Sequence, residues 1–114
     1  MNRKILKTIS VLIILSFTTK TYAKAESVAI ISPSDGATLI ASNKNTINFN
    51  VTPGSKGDHV HIYVDGKEAA VIHALKGNYT FEKLEAGNRD ICVKEMDKGH
   101  NPTGAEKCIK VKVE

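Results

Sequence analysis

Short runs of alternating apolar and polar residues recur along the chain from residue 26 onward. In residues 46–52, for example, Ile47, Phe49 and Val51 alternate with polar side chains. A period of two belongs to a β-strand with one buried face, whereas a surface helix needs a period near 3.6. No segment of this part of the sequence sustains a helical period. The pattern therefore predicts an all-β domain.

Gly, Pro, Asn and Asp separate these runs, and each of them favours turns. The runs predict strands at residues 27–32, 46–52, 58–64, 68–74, 79–84, 89–96 and 107–113, with a short additional strand at 37–40. The residues between them predict a tight turn at 76–78 and loops at 53–57 and 97–104. About seven short strands in so few residues predict an immunoglobulin-like antiparallel β-sandwich.

The N-terminal segment has the pattern of an export signal. Basic residues precede an apolar run at residues 9–17, and a small-x-small motif ends at Ala25. The apolar run is shorter than the roughly 20 residues of a membrane span, so we expect no membrane anchor in the mature chain. We predict a signal peptide over residues 1–25, with a cut after Ala23 as the alternative, and one domain over residues 26–114. The mature protein is expected to be periplasmic or secreted.

Removal of this segment changes the charge balance. Of 16 basic residues, 11 remain against 12 acidic ones, which gives a formal charge of −1. The basic character belongs to the export signal, and it gives no reason to propose nucleic acid or an anionic membrane as a partner. We expect a monomer whose partner is a metal ion or another protein.

The two cysteines, Cys92 and Cys108, are predicted to form a disulfide, because small exported domains often need a covalent tie. Both lie on the outward phase of their strands. If those strands pair symmetrically about His100, the two cysteines face each other directly. The alternative is a pair of reduced thiols that bind metal.

Three stretches resemble the C-terminal half of small bacterial periplasmic immunoglobulin-like domains: LEAGNRDICV at residues 84–93, DKGHNP at 97–102 and IKVKV at 109–113. Such domains often carry a histidine-bearing strand that ends in Asp-Gly, and HVHIYVDG at residues 59–66 matches it. This family has no settled function. The resemblance therefore implies a fold and a compartment rather than an activity.

The candidate site begins with His59 and His61, which lie roughly 6.5 to 7 Å apart on one face of a predicted strand. Since Val60 and Ile62 take the core face, we expect the histidine face to be displayed to solvent. In an immunoglobulin-like topology the strand that ends at Met96 lies beside them, and the loop that contains His100 reaches the same end. Imidazole suits copper and zinc, while a thioether favours Cu(I). We predict a copper site made of His59, His61, Met96 and His100. The alternative is that these are ordinary surface residues.

Other candidates carry weaker signals. Asp58 is placed to orient His59 through its second ring nitrogen, Tyr63 shares the same face, and His73 is expected to be a surface or edge residue. No nucleophile motif or carboxylate pair indicates catalysis, so we predict that the protein is not an enzyme. The alternative to metal handling is a metal-free interaction module that contacts another protein or the cell envelope.

Overall fold

Eight β-strands form in the computed structural model, which describes Ile13, Ile14, Ser16 and residues 26–114. In chain order the strands are β1 (Ser27–Ser32), β2 (Thr38–Leu39), β3 (Thr46–Thr52), β4 (His59–Val64), β5 (Lys67–Ile72), β6 (Lys76–Thr80), β7 (Gly87–Met96) and β8 (Pro102–Val113). The predicted signal peptide falls almost wholly outside the described residues. Within those residues, no helix is long and apolar enough to cross a membrane.

The strands form two sheets. One has the order β1-β3-β6 and the other the order β2-β8-β7-β4-β5. All pairings are antiparallel except the short one between β2 and β8. Two antiparallel sheets with non-consecutive neighbours form the sandwich that the sequence predicted, with one strand more than expected.

The core consists of side chains that the two sheets point toward each other. It is made of Val28, Ile47, Phe49, Val51, Val60, Ile62, Phe81, Leu84, Ile91, Val93, Ile109, Val111 and Val113. Alternate residues of each long strand supply this core, as a period of two requires. Because Val60 and Ile62 are fully buried, the histidines between and beside them lie on the other face of the sheet.

Two details of the predicted strand pattern were wrong. Residues 76–78, predicted as a turn, belong to β6, which pairs with β3 and places Gly77 opposite Phe49. The predicted loop at 97–104 is shorter, because β8 already begins at Pro102. In both places a neighbouring strand supplies backbone hydrogen bonds, and this pairing outweighs the local preference of Gly, Asn and Pro for turns.

The predicted disulfide is present between Cys92 and Cys108, which are direct partners in the pairing of β7 with β8. The symmetric pairing about His100 is thus confirmed. The bond crosses the outer face of the larger sheet and joins residues separated by 16 positions. It ties together the two strands whose connection carries His100.

Replacing both cysteines by alanine is expected to lower the free energy of unfolding by about 3 kcal/mol, because the bond restricts the unfolded chain over a loop of this length. Urea unfolding of the double variant Cys92→Ala/Cys108→Ala against the oxidised protein measures this difference. An unchanged midpoint and slope would contradict the predicted contribution.

Candidate metal centre

Strand β4 places His59 and His61 on the outer face of the larger sheet. Their neighbours Val60 and Ile62 point into the core and have no exposed surface. We expected both histidines to be displayed to solvent, but His59 is only 1% and His61 only 6% exposed. The expectation of exposure was wrong because other residues cover this end of the outer face.

One of the covering residues is Met96, at the end of β7. It is the direct pairing partner of His59 in the β4–β7 register, so both side chains lie on the same face. Met96 is 1% exposed and is not part of the core between the sheets. The predicted approach of Met96 to His59 is confirmed at the level of strand register.

The second covering residue is His100, in the turn between β7 and β8. The Asp97 carboxylate accepts hydrogen bonds from the backbone N–H groups of Gly99 and Asn101, each at 2.9 Å. His100 itself has φ of 61°, a left-handed conformation in which histidine is tolerated better than most residues. The tight turn brings the His100 ring back over β4.

Three ring nitrogens converge in this arrangement. His59 Nε2 lies 3.0 Å from His61 Nε2, and His100 Nδ1 lies 3.1 Å from each of them. The prediction that these three histidines come together is confirmed. Their burial differs, since the two strand histidines are buried and His100 is exposed.

Carboxylates hold the outer nitrogens of the two strand histidines. Asp58 Oδ2 lies 2.9 Å from His59 Nδ1, and Glu68 Oε1 lies 3.4 Å from His61 Nδ1. An ionised carboxylate only accepts hydrogen bonds, so it favours the tautomer with the proton on Nδ1. The Nε2 atoms of neutral His59 and His61 then carry no proton. Their lone pairs face each other, and the two atoms lie 3.0 Å apart. This arrangement is unfavourable unless a cation or a donor lies between them.

The dimensions of the nitrogen triangle suit a transition metal. With sides of 3.0 to 3.1 Å, its centre is about 1.8 Å from each corner, whereas bonds from zinc to imidazole are about 2.0 to 2.1 Å. His59, His61 and His100 would therefore hold a transition-metal ion with little movement of their rings. Carboxylate-supported imidazoles of this kind are a common ligand set in metalloproteins.

The fourth histidine also contacts this group. The ring centre of His73 lies 5.2 Å from that of His59, although His73 is exposed. All four histidines of the chain are therefore gathered at one end of one sheet. His73 was expected at a surface or edge position, and its proximity to His59 was not predicted. The contact of Glu68 with His61 was not predicted either, because nothing in the sequence pattern pairs these two residues.

Burial lowers the pKa of the His61 imidazole below its ordinary value of 6.5. The Glu68 carboxylate opposes this effect by raising the pKa, and the neighbouring His59, His100 and His73 lower it again. The net result favours the neutral ring, which is the form that binds metals.

A buried glutamate supports the His100 turn from the inner side of β7. Glu95 has no exposed surface, and its Oε1 accepts a hydrogen bond of 2.7 Å from the Thr103 hydroxyl of β8. Its Oε2 has no hydrogen-bond partner among the described residues. Gly57 lies so close that an added Cβ would be 2.7 Å from this oxygen. The carboxyl thus fixes the base of the turn to both flanking strands.

Solved structures with a similar fold include fibronectin(III)-like modules of CbhA from Clostridium thermocellum, with a TM-score of 0.66, 18% identity, and coverage of 76% of this chain and 96% of the module chain. CopC from Methylosinus trichosporium OB3b gives a TM-score of 0.53 at 14% identity, covering 79% of this chain and 94% of CopC. A lytic polysaccharide monooxygenase from Jonesia denitrificans gives 0.50 at 14% identity, covering 73% and 61%.

These similarities identify the fold as an immunoglobulin-like or fibronectin(III)-like sandwich. At such low identities they carry no information about the activity of this chain. No protein-family model matches the sequence, and no curated protein does. The histidine cluster is therefore the feature of this chain that bears on its function.

Replacing Thr103 by valine is expected to destabilise the protein by about 1 to 3 kcal/mol, because the buried Glu95 carboxyl loses its donor. Thr103→Ser keeps the hydroxyl and serves as the matched control. Chemical unfolding curves of the two variants measure the difference. Equal stability of Thr103→Val and the original protein would show that this hydrogen bond contributes little.

Metal-free protein is expected to lose stability as the pH falls below about 6.5. The lowered pKa of His61 means that the unfolded chain takes up a proton in this range more readily than the folded protein does. Stability is therefore complete above the ordinary histidine pKa and declines below it. Urea midpoints measured in a chelator between about pH 5 and pH 8 test this. A His61→Gln variant should show a shallower decline, and an identical pH profile would contradict the assignment.

Proposed function

We propose that this protein binds a transition-metal ion, and that copper is the ion it handles outside the cytoplasm. The observation that carries the proposal is the pair of Nε2 lone pairs of His59 and His61, held 3.0 Å apart, with His100 Nδ1 3.1 Å from both. When His100 Nδ1 carries no proton, as a metal ligand must not, a cation between the three imidazoles removes the repulsion among their lone pairs. The function assigned to the site is binding, for storage, delivery or resistance, rather than catalysis.

Copper is favoured over zinc by Met96. This thioether is buried on the same face as the histidines and directly opposite His59. Thioether sulfur is a ligand for Cu(I) and an unusual one for zinc. Met96 therefore supplies the chemical preference that three imidazoles alone do not provide.

The compartment is proposed from the disulfide and the N-terminal segment together. The Cys92–Cys108 bond persists in oxidising surroundings such as the periplasm or the outside of the cell. The predicted signal peptide at residues 1–25 agrees with this location. A disulfide-bonded protein with bound copper fits the envelope better than a reducing cytoplasm.

Purified protein, incubated separately with Cu(I) under anaerobic conditions and with Cu(II) and then desalted, is expected to retain one metal ion per chain by elemental analysis. His100→Gln should lower the affinity by at least about 10-fold to 100-fold, since even residues that only support a ligand have effects of this size. Lys98→Gln, in the same exposed turn, is the matched control. If the original protein retains no stoichiometric metal, the proposal fails and an interaction module remains as the alternative.

Met96→Leu separates copper handling from general metal binding. Leucine conserves the volume of the buried side chain, so folding should be unaffected, but the affinity for Cu(I) should fall by about 10-fold or more because the soft ligand is lost. Zinc affinity should be nearly unchanged. Equal Cu(I) affinity in both proteins would remove Met96 from the site.

A further inference from the structure

We infer that His73 is a fourth imidazole ligand, which closes the coordination shell around a divalent ion held by His59, His61 and His100. This inference rests on the proposed function and extends the site to the edge strand β5. It gives the chain a ligand for ions such as Zn²⁺ or Cu²⁺ that do not favour the thioether of Met96.

Strand register puts His73 next to the cluster. β5 pairs with β4 so that Ile72 lies opposite Val60, and His73 is the next residue, which the antiparallel register places opposite His59. His59 is thus flanked by Met96 on β7 and by His73 after β5. These three side chains form a row across the outer face.

Ring separations agree with a shared ion. The distances between ring centres within the group of three are 4.9 Å for His59–His61, 4.6 Å for His59–His100 and 5.3 Å for His61–His100. The His59–His73 separation, 5.2 Å, lies within this range. The His73 ring neighbours His59, but its nitrogens lie outside the group of three whose ligand atoms are within 4.8 Å of one another. Binding to the shared ion therefore requires the His73 ring to turn toward that group.

The position of His73 allows that movement. β5 is the edge strand of its sheet, and His73 is an exposed residue that follows its last paired position. A change of χ1 rotamer moves an exposed ring by several ångströms at small cost. The two strand histidines, in contrast, are buried and fixed by Asp58 and Glu68. The site therefore combines two fixed histidines on β4 with His100 in the β7–β8 turn and His73 beside the edge strand β5.

The charge of the ion determines whether His73 or Met96 is the additional ligand. A four-imidazole tetrahedral shell suits Zn²⁺, whereas Cu(I) accepts sulfur. We therefore assign His73 to the divalent ion and Met96 to Cu(I). Zn²⁺ is the better probe, because it is diamagnetic and has no redox chemistry.

The test is a zinc titration of purified protein labelled with ¹⁵N at histidine, followed by long-range ¹H–¹⁵N spectra of the imidazoles. All four rings are expected to shift with one equivalent of Zn²⁺, each at the nitrogen that binds. His73→Gln should lower the zinc affinity by about 10-fold or more, as expected for loss of a ligand. Lys67→Gln places the same side chain at an exposed and regularly paired position of β5, away from the register shift, and should leave the affinity nearly unchanged.

The outcomes separate the two proposals. If three rings shift and the His73 signals stay where they are in metal-free protein, the inference about His73 is overturned while the three-histidine site stands. If no ring responds to zinc and copper is not retained either, the proposed function fails together with the inference. A loss of affinity in His73→Gln without a shift of the His73 ring also overturns the inference, because it would show an effect at a distance.

Discussion

The register between β4 and β7 is the constraint on which the rest of the structure depends. Val60 and Ile62 must face the core. On β7, Val60 pairs with Glu95 and Ile62 pairs with Val93. Because side chains alternate, a slip of one residue would exchange the buried valine and isoleucine for His59 and His61. The apolar core thus fixes which face carries the histidines, and the same pairing puts Met96 beside them.

The candidate site places buried polar and charged groups in electrostatically unfavourable positions. Two buried imidazoles face each other, two carboxylates hold their outer nitrogens, and the nearby Glu95 carboxyl is buried with one oxygen lacking a partner in the described structure. A buried region selected for stability alone would carry apolar side chains at these positions. Departures from that rule concentrate at functional sites in folded proteins. Their concentration at one end of this sandwich is the physical reason to look for function there.

Much of the fold was predictable from local pattern. The bounds of β1 and β3 agree with prediction. The apolar and polar residues of β3 alternate without interruption, and β1 is an apolar run that the turn residues from Pro33 to Gly36 bring to an end. β6 was not predictable, since Lys76, Gly77 and Asn78 have turn chemistry and become a strand only through pairing with β3. The signal peptide remains a prediction, as it lies outside the described residues.

The candidate site was predictable only through topology. The sequence shows His59 and His61 two residues apart, but His100 reaches them across 41 positions and needs the hairpin of β7 and β8 to do so. Burial of the pair could not be read from β4, because the cover comes from other segments. His73 could not be placed from the hairpin alone. The Asp65-Gly66 turn sets the first pairs of β4 with β5, but a shift of register between Ile62 and Tyr63 moves the later pairs by one residue and so brings His73 opposite His59.

The separation of the ligands along the chain links metal occupancy to the lifetime of the fold. An unfolded chain keeps the two neighbouring histidines but loses the third, so under the proposed function the folded state would bind an ion more tightly. The gain in stability would be at most about 2.7 kcal/mol when free metal exceeds the dissociation constant 100-fold, because residual binding to the unfolded chain reduces it. For a domain of fewer than 100 residues this is a large share of the total. If the proposed site binds metal, the supply of metal in the surroundings would influence how long each molecule survives proteolysis, and the amount of protein would follow metal exposure.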